Sequence, residues 1–157
     1  MRRGAELSQI EWRDLGSEDE LDSSELSLWV AQRTNPAIDA LDANSAVVVG
    51  KSLGTYASAA VARRSVPAIW VTPLLTVDLV RHALARSTAP FLLVGGTADP
   101  FWDGEAARKL TPHVLELPDA DHGLFVPGPL ELSAVNMATF AAASERFLDE
   151  IVWPPAP

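Results

Sequence analysis

The sequence predicts an α/β fold, a three-layer sandwich around a mostly parallel sheet of about five strands. Three observations lead there. Short, continuously apolar runs recur at residues 46–49 (AVVV), 66–71 (VPAIWV) and 90–94 (PFLLV), and a run without polar alternation suits a strand buried on both faces. A helical pattern follows each run, so strands and helices alternate, which implies crossover connections and a sheet covered on both sides. Between the first run and its helix lies Gly50-Lys51-Ser52-Leu53-Gly54, a tight turn of largely small residues.

Taken in order, residues 6–12 (ELSQIEW) set Leu7, Ile10 and Trp12 in loose alternation and read as a strand. Residues 16–24 (GSEDELDSS) are an acidic loop. Ser24 starts a helix that runs to about Arg33, Asn35-Pro36 interrupts it, and residues 37–41 resume it. Val47, Val48 and Val49 form the next strand. Residues 55–64, rich in alanine and closing on two arginines, suit a helix and its negative C-terminal end. The 66–71 strand stops at Thr72-Pro73, and residues 77–86 form an amphipathic helix with Val77, Val80 and Leu84 at helical spacing. The 90–94 strand runs into GGTADP. Residues 104–110 are a short helix, and residues 114–117 the last strand, which opens onto PDADHG. From Pro129 the chain is helical to about Val152, with Leu132, Val135, Phe140, Ala143, Phe147 and Ile151 as its buried stripe. Residues 154–157 are a frayed end.

The three valines call for two buried faces and two paired edges. The expected neighbour is the 6–12 strand, because sequential strands pair or neighbour about two-thirds of the time; the alternatives are a strand from a second copy of the chain, giving a symmetric dimer, and a poorly soluble isolated chain. The connection over residues 14–44 is long enough to cross one face as a helix. Glu6, Ser8, Gln9 and Glu11 suit an edge strand.

Length and composition set further bounds. A chain of 157 residues is expected to be one domain with a single core. Its mean hydropathy of +0.11 is that of a globular chain. The net charge of −9 with no basic stripe argues against nucleic acid as a partner. No cysteine is present, which rules out disulfides and thiolate chemistry. Residues 1–6 carry two arginines without an apolar stretch behind them, unlike a signal peptide, and no apolar run is long enough to span a membrane. A cytoplasmic location is the expectation.

The chemistry centres on the turn after the valines. A strand, a tight turn and a helix around G-x-S-x-G is the context of a nucleophile elbow. There the serine hydroxyl projects above the sheet edge, and the amide of Leu53, at the helix N-terminus, can donate to a developing oxyanion. Gly50 and Gly54 let strand and helix approach closely. The same residues fit a plain small-residue turn. Gly50-Lys51-Ser52 also ends a phosphate-binding loop pattern, but that pattern needs glycine where Ser45 stands. A serine needs a base, and the base needs a partner to fix its tautomer. Of three histidines, His82 lies within an amphipathic helix and His113 starts a strand. His122 lies in a polar, glycine-flanked loop after the last strand, and is the candidate base. Asp99, just past a buried strand in GGTADP, falls between serine and histidine in chain order and is the candidate acid, with Asp103 as backup. Asp99 also reads as a turn aspartate before proline. Ser52, Asp99 and His122 each follow the carboxyl end of a strand, where such sheets bind ligands. Tyr56, Thr72 and Trp102 are candidates to line the substrate pocket, and Trp102 reads equally well as packing.

Three motifs in this order, G-K-S-L-G after a valine strand, G-G-T-A-D-P after a later one and D-A-D-H-G-L after the last, resemble the α/β-hydrolase superfamily. The nearest resemblance is to its small, lidless members of the dienelactone-hydrolase and short-esterase type, over roughly residues 45–152. It implies that Ser52 is nucleophile, Asp99 acid, His122 base and Leu53 one oxyanion donor. Lys51 stands at the variable position of the elbow and is assigned no role. The resemblance also implies a central strand ahead of the 6–12 strand, a helix after it, and a loop giving a second oxyanion amide. By that resemblance these elements are expected to precede residue 6 and are not matched here. Arg3-Gly4-Ala5 resembles the end of that helix, and no residue matches the second donor.

Two functions follow as expectations. One is a serine hydrolase acting on a small-molecule carboxylic ester or thioester through an acyl-enzyme, with no metal or organic cofactor, as a monomer or homodimer. The other is a non-catalytic binding or assembly module that keeps the fold, motivated by the missing donor, whose loss costs about 10²–10³ in rate.

Overall fold

The computed structural model describes residues 6–10 and 22–155. Its centre is a four-stranded, all-parallel sheet in the order β1 (Val48–Lys51), β2 (Ala68–Val71), β3 (Phe91–Gly96), β4 (Val114–Leu117). The register pairs Lys51 with Val71, Val71 with Val94 and Val94 with Leu115. Alternate residues therefore face opposite sides, and each side has its own core. Ala68, Trp70, Phe91 and Leu93 pack with α1 (Ser23–Asp39), α2 (Ser58–Arg64), α3 (Asp78–Leu84) and α4 (Gly104–Leu110). Ile69, Val71, Leu92, Val94 and Leu117 pack against Phe147 and Phe140 of α5 (Leu130–Phe147). Beyond α5 a π-type turn, Leu148–Val152, ends the helical region. No helix among the described residues is long and apolar enough to cross a membrane.

The sheet has four strands where about five are expected. Residues 6–10 form no strand, and Leu7 among them is 77% exposed. Four of the five are exposed and only Ile10 is half-buried, so their loose alternation buries no face. Residues 11 and 12, the expected helix end at residues 3–5, most of the acidic loop and residues 156–157 lie outside the described residues. Among the described residues β1 is therefore an edge strand, paired on one side only. Val49 is 62% exposed, against the expectation of two buried faces. On that face α5 lies mainly against β3 and β4.

Two helices also differ from expectation. α1 runs unbroken through Pro36. Asp22 caps it in a reciprocal box, accepting the Ser24 and Glu25 amides while Glu25 accepts the Asp22 amide. The proline removes one helical hydrogen bond, but Val30, Thr34 and Ile38, spaced by four, are buried on one face. That packing outweighs the local preference. In α5 the buried stripe is not Leu132–Val135–Ile151, which are exposed. It runs through Ser133, Phe140 and Phe147, with Ser133 Oγ accepting the Val126 amide at 3.1 Å.

The loops that follow β3 and β4 meet at Gly96, the last residue of β3. A Cβ there would lie 2.0 Å from the Ala120 carbonyl oxygen. That oxygen also accepts the Ala98 amide at 3.0 Å, and the Gly96 carbonyl accepts the Asp99 amide at 3.1 Å. The obstacle is backbone, so it cannot rotate away. Gly96→Ala is expected to destabilise the fold by about 3 kcal/mol, a Tm loss of roughly 10 °C. Thermal unfolding followed by circular dichroism checks this, and an unchanged Tm contradicts the contact.

Candidate active site

β1 ends at Lys51, and the chain turns at once into a 3-10 segment, Ser52–Ala57, before α2. The turn is made at Ser52, whose φ of 49° lies in the left-handed region. A non-glycine residue there stores strain of about 1–3 kcal/mol and persists only where its surroundings hold it. Those surroundings are specific. Gly50 lies under the Trp70 ring, and a Cβ on it would come within 2.5 Å of Trp70 and 3.2 Å of the Gly54 carbonyl oxygen. Thr55, fully buried, donates its hydroxyl to the Ser52 carbonyl at 2.6 Å and accepts the Leu74 amide at 3.4 Å. Leu53 is the second residue of the 3-10 segment, where an N–H has no acceptor in its own helix.

His122 meets Ser52 from the far side of the sheet in sequence. Its Nε2 lies 2.7 Å from Ser52 Oγ, and its Nδ1 lies 2.9 Å from Asp99 Oδ2. The Asp99 side chain is fully buried and that of His122 is 31% exposed. Asp99 Oδ1 accepts the Phe101 amide at 2.9 Å, so both carboxylate oxygens have donors. This geometry suits one tautomer: an imidazole that donates from Nδ1 to the carboxylate leaves Nε2 to accept from the serine hydroxyl.

The loops that deliver these groups are built locally. Asp121, next to His122, turns its Oδ1 to the amides of Gly123 (2.7 Å) and Phe125 (3.0 Å). This closes the His122 loop and leaves Asp121 no part in the serine–histidine contact. Asp103, the backup acid, instead caps α4 by accepting the Ala106 amide at 2.9 Å. His82 is exposed on α3, and His113 packs edge-on against Phe147 with ring centroids 5.3 Å apart.

The expected pocket residues are placed differently. Tyr56 is 5% exposed and Thr72 is fully buried, so both are core rather than lining. Thr72 has a φ of 43° and an unpartnered buried hydroxyl. It follows β2 one residue past the Lys51–Val71 pair, as Ser52 follows β1. Trp102 donates its indole N–H to Glu116 at 2.7 Å and lies over Gly95, where a Cβ would come within 2.0 Å of its ring. Its ring is half-buried and packs there. Two residues without an expected role adjoin His122. Lys51 Nζ donates to the His122 carbonyl at 3.0 Å. The Phe101 ring meets the imidazole edge-on at 5.3 Å and is 40% exposed. Alternation could not find Phe101, but its position two residues past Asp99 in a turn was a usable signal.

A groove of about 630 Å³ lies elsewhere, between α5 and the β3–β4 side, lined by His113, Val135, Arg146 and Phe147 among others, and includes none of Ser52, Asp99 and His122. Among the described residues no cluster of histidine, aspartate and glutamate is set to hold a metal ion.

Neither a protein-family model nor a curated protein matches the sequence. Solved structures do match the fold. A dipeptidyl peptidase 4 from Porphyromonas gingivalis aligns over 73% of this chain at 16% identity with a TM-score of 0.51. A dienelactone hydrolase-like promiscuous phosphotriesterase, P91, from metagenomic libraries aligns over 79% at 19% identity with a TM-score of 0.46. The chain spans 22% of the first and 62% of the second. The likeness to the dipeptidyl peptidase is one of fold, an α/β arrangement with a parallel sheet of four strands flanked by helices.

Proposed function

We propose that this protein is a serine hydrolase that cleaves small carboxylic esters or thioesters. The observation that carries this reading is the continuous hydrogen-bonded chain from Ser52 Oγ through both nitrogens of His122 to buried Asp99, with Ser52 in a strained turn. Ser52 Oγ forms a bond to the substrate carbonyl carbon while its proton passes to His122 Nε2. The carbonyl oxygen becomes an oxyanion that the Leu53 amide faces as donor. Collapse breaks the bond to the leaving oxygen or sulfur, which takes the proton from His122. His122 then deprotonates a water that attacks the acyl carbon, and Ser52 leaves with the proton restored. Asp99 holds the tautomer and stabilises the imidazolium. No step calls on a metal or organic cofactor.

The test is covalent labelling with a fluorophosphonate, read by intact mass and peptide mapping. One adduct on Ser52 is expected, with turnover of p-nitrophenyl acetate abolished in the labelled protein. No adduct, or labelling at another residue, sinks the reading.

One observation favours a second reading. β1 ends at the site yet is unpaired on its outer side among the described residues, with Val49 exposed. Such an edge is a template for another strand, which a non-catalytic assembly module would use. Ester turnover well above the Ser52→Ala background removes that reading.

A further inference from the structure

We infer that Phe101 selects the leaving group, favouring substrates whose departing alcohol is apolar or aromatic; this rests on the hydrolase reading above. In that reaction His122 Nε2 hands its proton to the leaving oxygen, so the departing group must lie against His122, not on the oxyanion side by Leu53. The ring beside His122 is Phe101, edge-on to the imidazole at 5.3 Å. It is 40% exposed while its neighbours Asp99, Leu74 and Leu75 are buried, so it presents an apolar surface to whatever docks there. Its backbone is held at both ends of the residue. The amide donates to Asp99 Oδ1 at 2.9 Å and the carbonyl accepts the Leu75 amide at 3.0 Å. The backbone that carries the ring is thereby tied to the acid that positions the base, and an aromatic leaving group gains ring contact there. A charged or strongly hydrated alcohol would lose water against the ring without gaining such contact.

The experiment compares esters that differ on one side only. Phenyl acetate and trifluoroethyl acetate vary the leaving group, and phenyl acetate and phenyl butyrate vary the acyl group. Phe101→Ala is expected to lower kcat/KM for phenyl acetate about tenfold, through KM, with trifluoroethyl acetate changed by less than about threefold. Phe101→Leu is expected to recover part of the loss, and the acetate-to-butyrate preference is expected to stay put. A second arm does not depend on turnover. Phenol added to the Ser52→Ala protein is expected to shift the His122 imidazole NMR signals, and not to do so once Phe101→Ala is added. Equal losses on both leaving groups, a changed acyl preference, or phenol shifts that survive Phe101→Ala overturn the assignment. If the wild-type protein turns over no ester, the hydrolase reading fails, and the phenol arm still decides whether Phe101 holds an aromatic group.

Discussion

Ser52→Ala is expected to cut kcat for p-nitrophenyl acetate by about 10⁴–10⁶-fold and to abolish fluorophosphonate labelling. The size of the effect follows from the geometry. Ser52 Oγ is the atom 2.7 Å from His122 Nε2, and removing it leaves a base with nothing to deprotonate except water. The fold should survive, because the contacts that hold the turn do not use the hydroxyl. Thr55 grips the Ser52 carbonyl, and Gly50 and Trp70 close the other side. The left-handed φ of 49° adds a second readout. Alanine keeps that strain, whereas glycine relieves it. Ser52→Gly is therefore expected to be as inactive as Ser52→Ala but more stable than it by about 0.5–1 kcal/mol, net of glycine's larger unfolded-state entropy. Steady-state kinetics with thermal unfolding of both variants measures the pair. Residual turnover close to wild type in either variant would falsify Ser52 as nucleophile.

The parts of this structure that were legible in the sequence are those fixed by local rules. β2, of four residues, and β3, of six, are buried at every position, as the short apolar runs at 66–71 and 90–94 imply. The turn residues after β1, β3 and β4 follow strand ends, so chain order alone brings Ser52, Asp99 and His122 to one edge of the sheet. What local rules could not supply is pairing and direction. The valines before Gly50 predict a strand but cannot say that, among the described residues, one side of it stays unpaired and Val49 on its face stays exposed. In α5 apolar residues occur all round the helix, so composition leaves its rotation open. Two large rings, Phe140 and Phe147, set the rotation against the sheet and carry Ser133 inward with them. Likewise Tyr56 and Trp102 lie near the site in sequence but point into packing. Phe101, between Asp99 and Trp102, is the ring that meets His122.

Asp99→Asn is expected to lower kcat by about 10³–10⁴-fold with the fold intact. Asparagine has the shape of aspartate, so volume and burial are conserved. Its hydrogen-bonding is not. Asp99 accepts on both oxygens, from His122 Nδ1 at 2.9 Å and from the Phe101 amide at 2.9 Å. Asparagine can accept with one atom only and must turn its NH₂ toward the other partner. If the NH₂ faces His122, the imidazole must move its proton to Nε2, where it can no longer accept from Ser52. If the NH₂ faces Phe101, two donors meet in a fully buried place, and the Phe101 amide is left without an acceptor at a cost of about 1–3 kcal/mol. The turn that carries Phe101 then shifts, and the ring against His122 with it. Either arrangement also removes the negative charge that stabilises the imidazolium. The first is cheaper because it leaves no buried donor unpaired, so the wrong tautomer is the expected state. The ¹⁵N chemical shifts of His122 read it directly: the variant should show the proton on Nε2, and wild type on Nδ1. A variant with wild-type kcat, or one whose His122 keeps its proton on Nδ1, would remove Asp99 from the role of orienting acid.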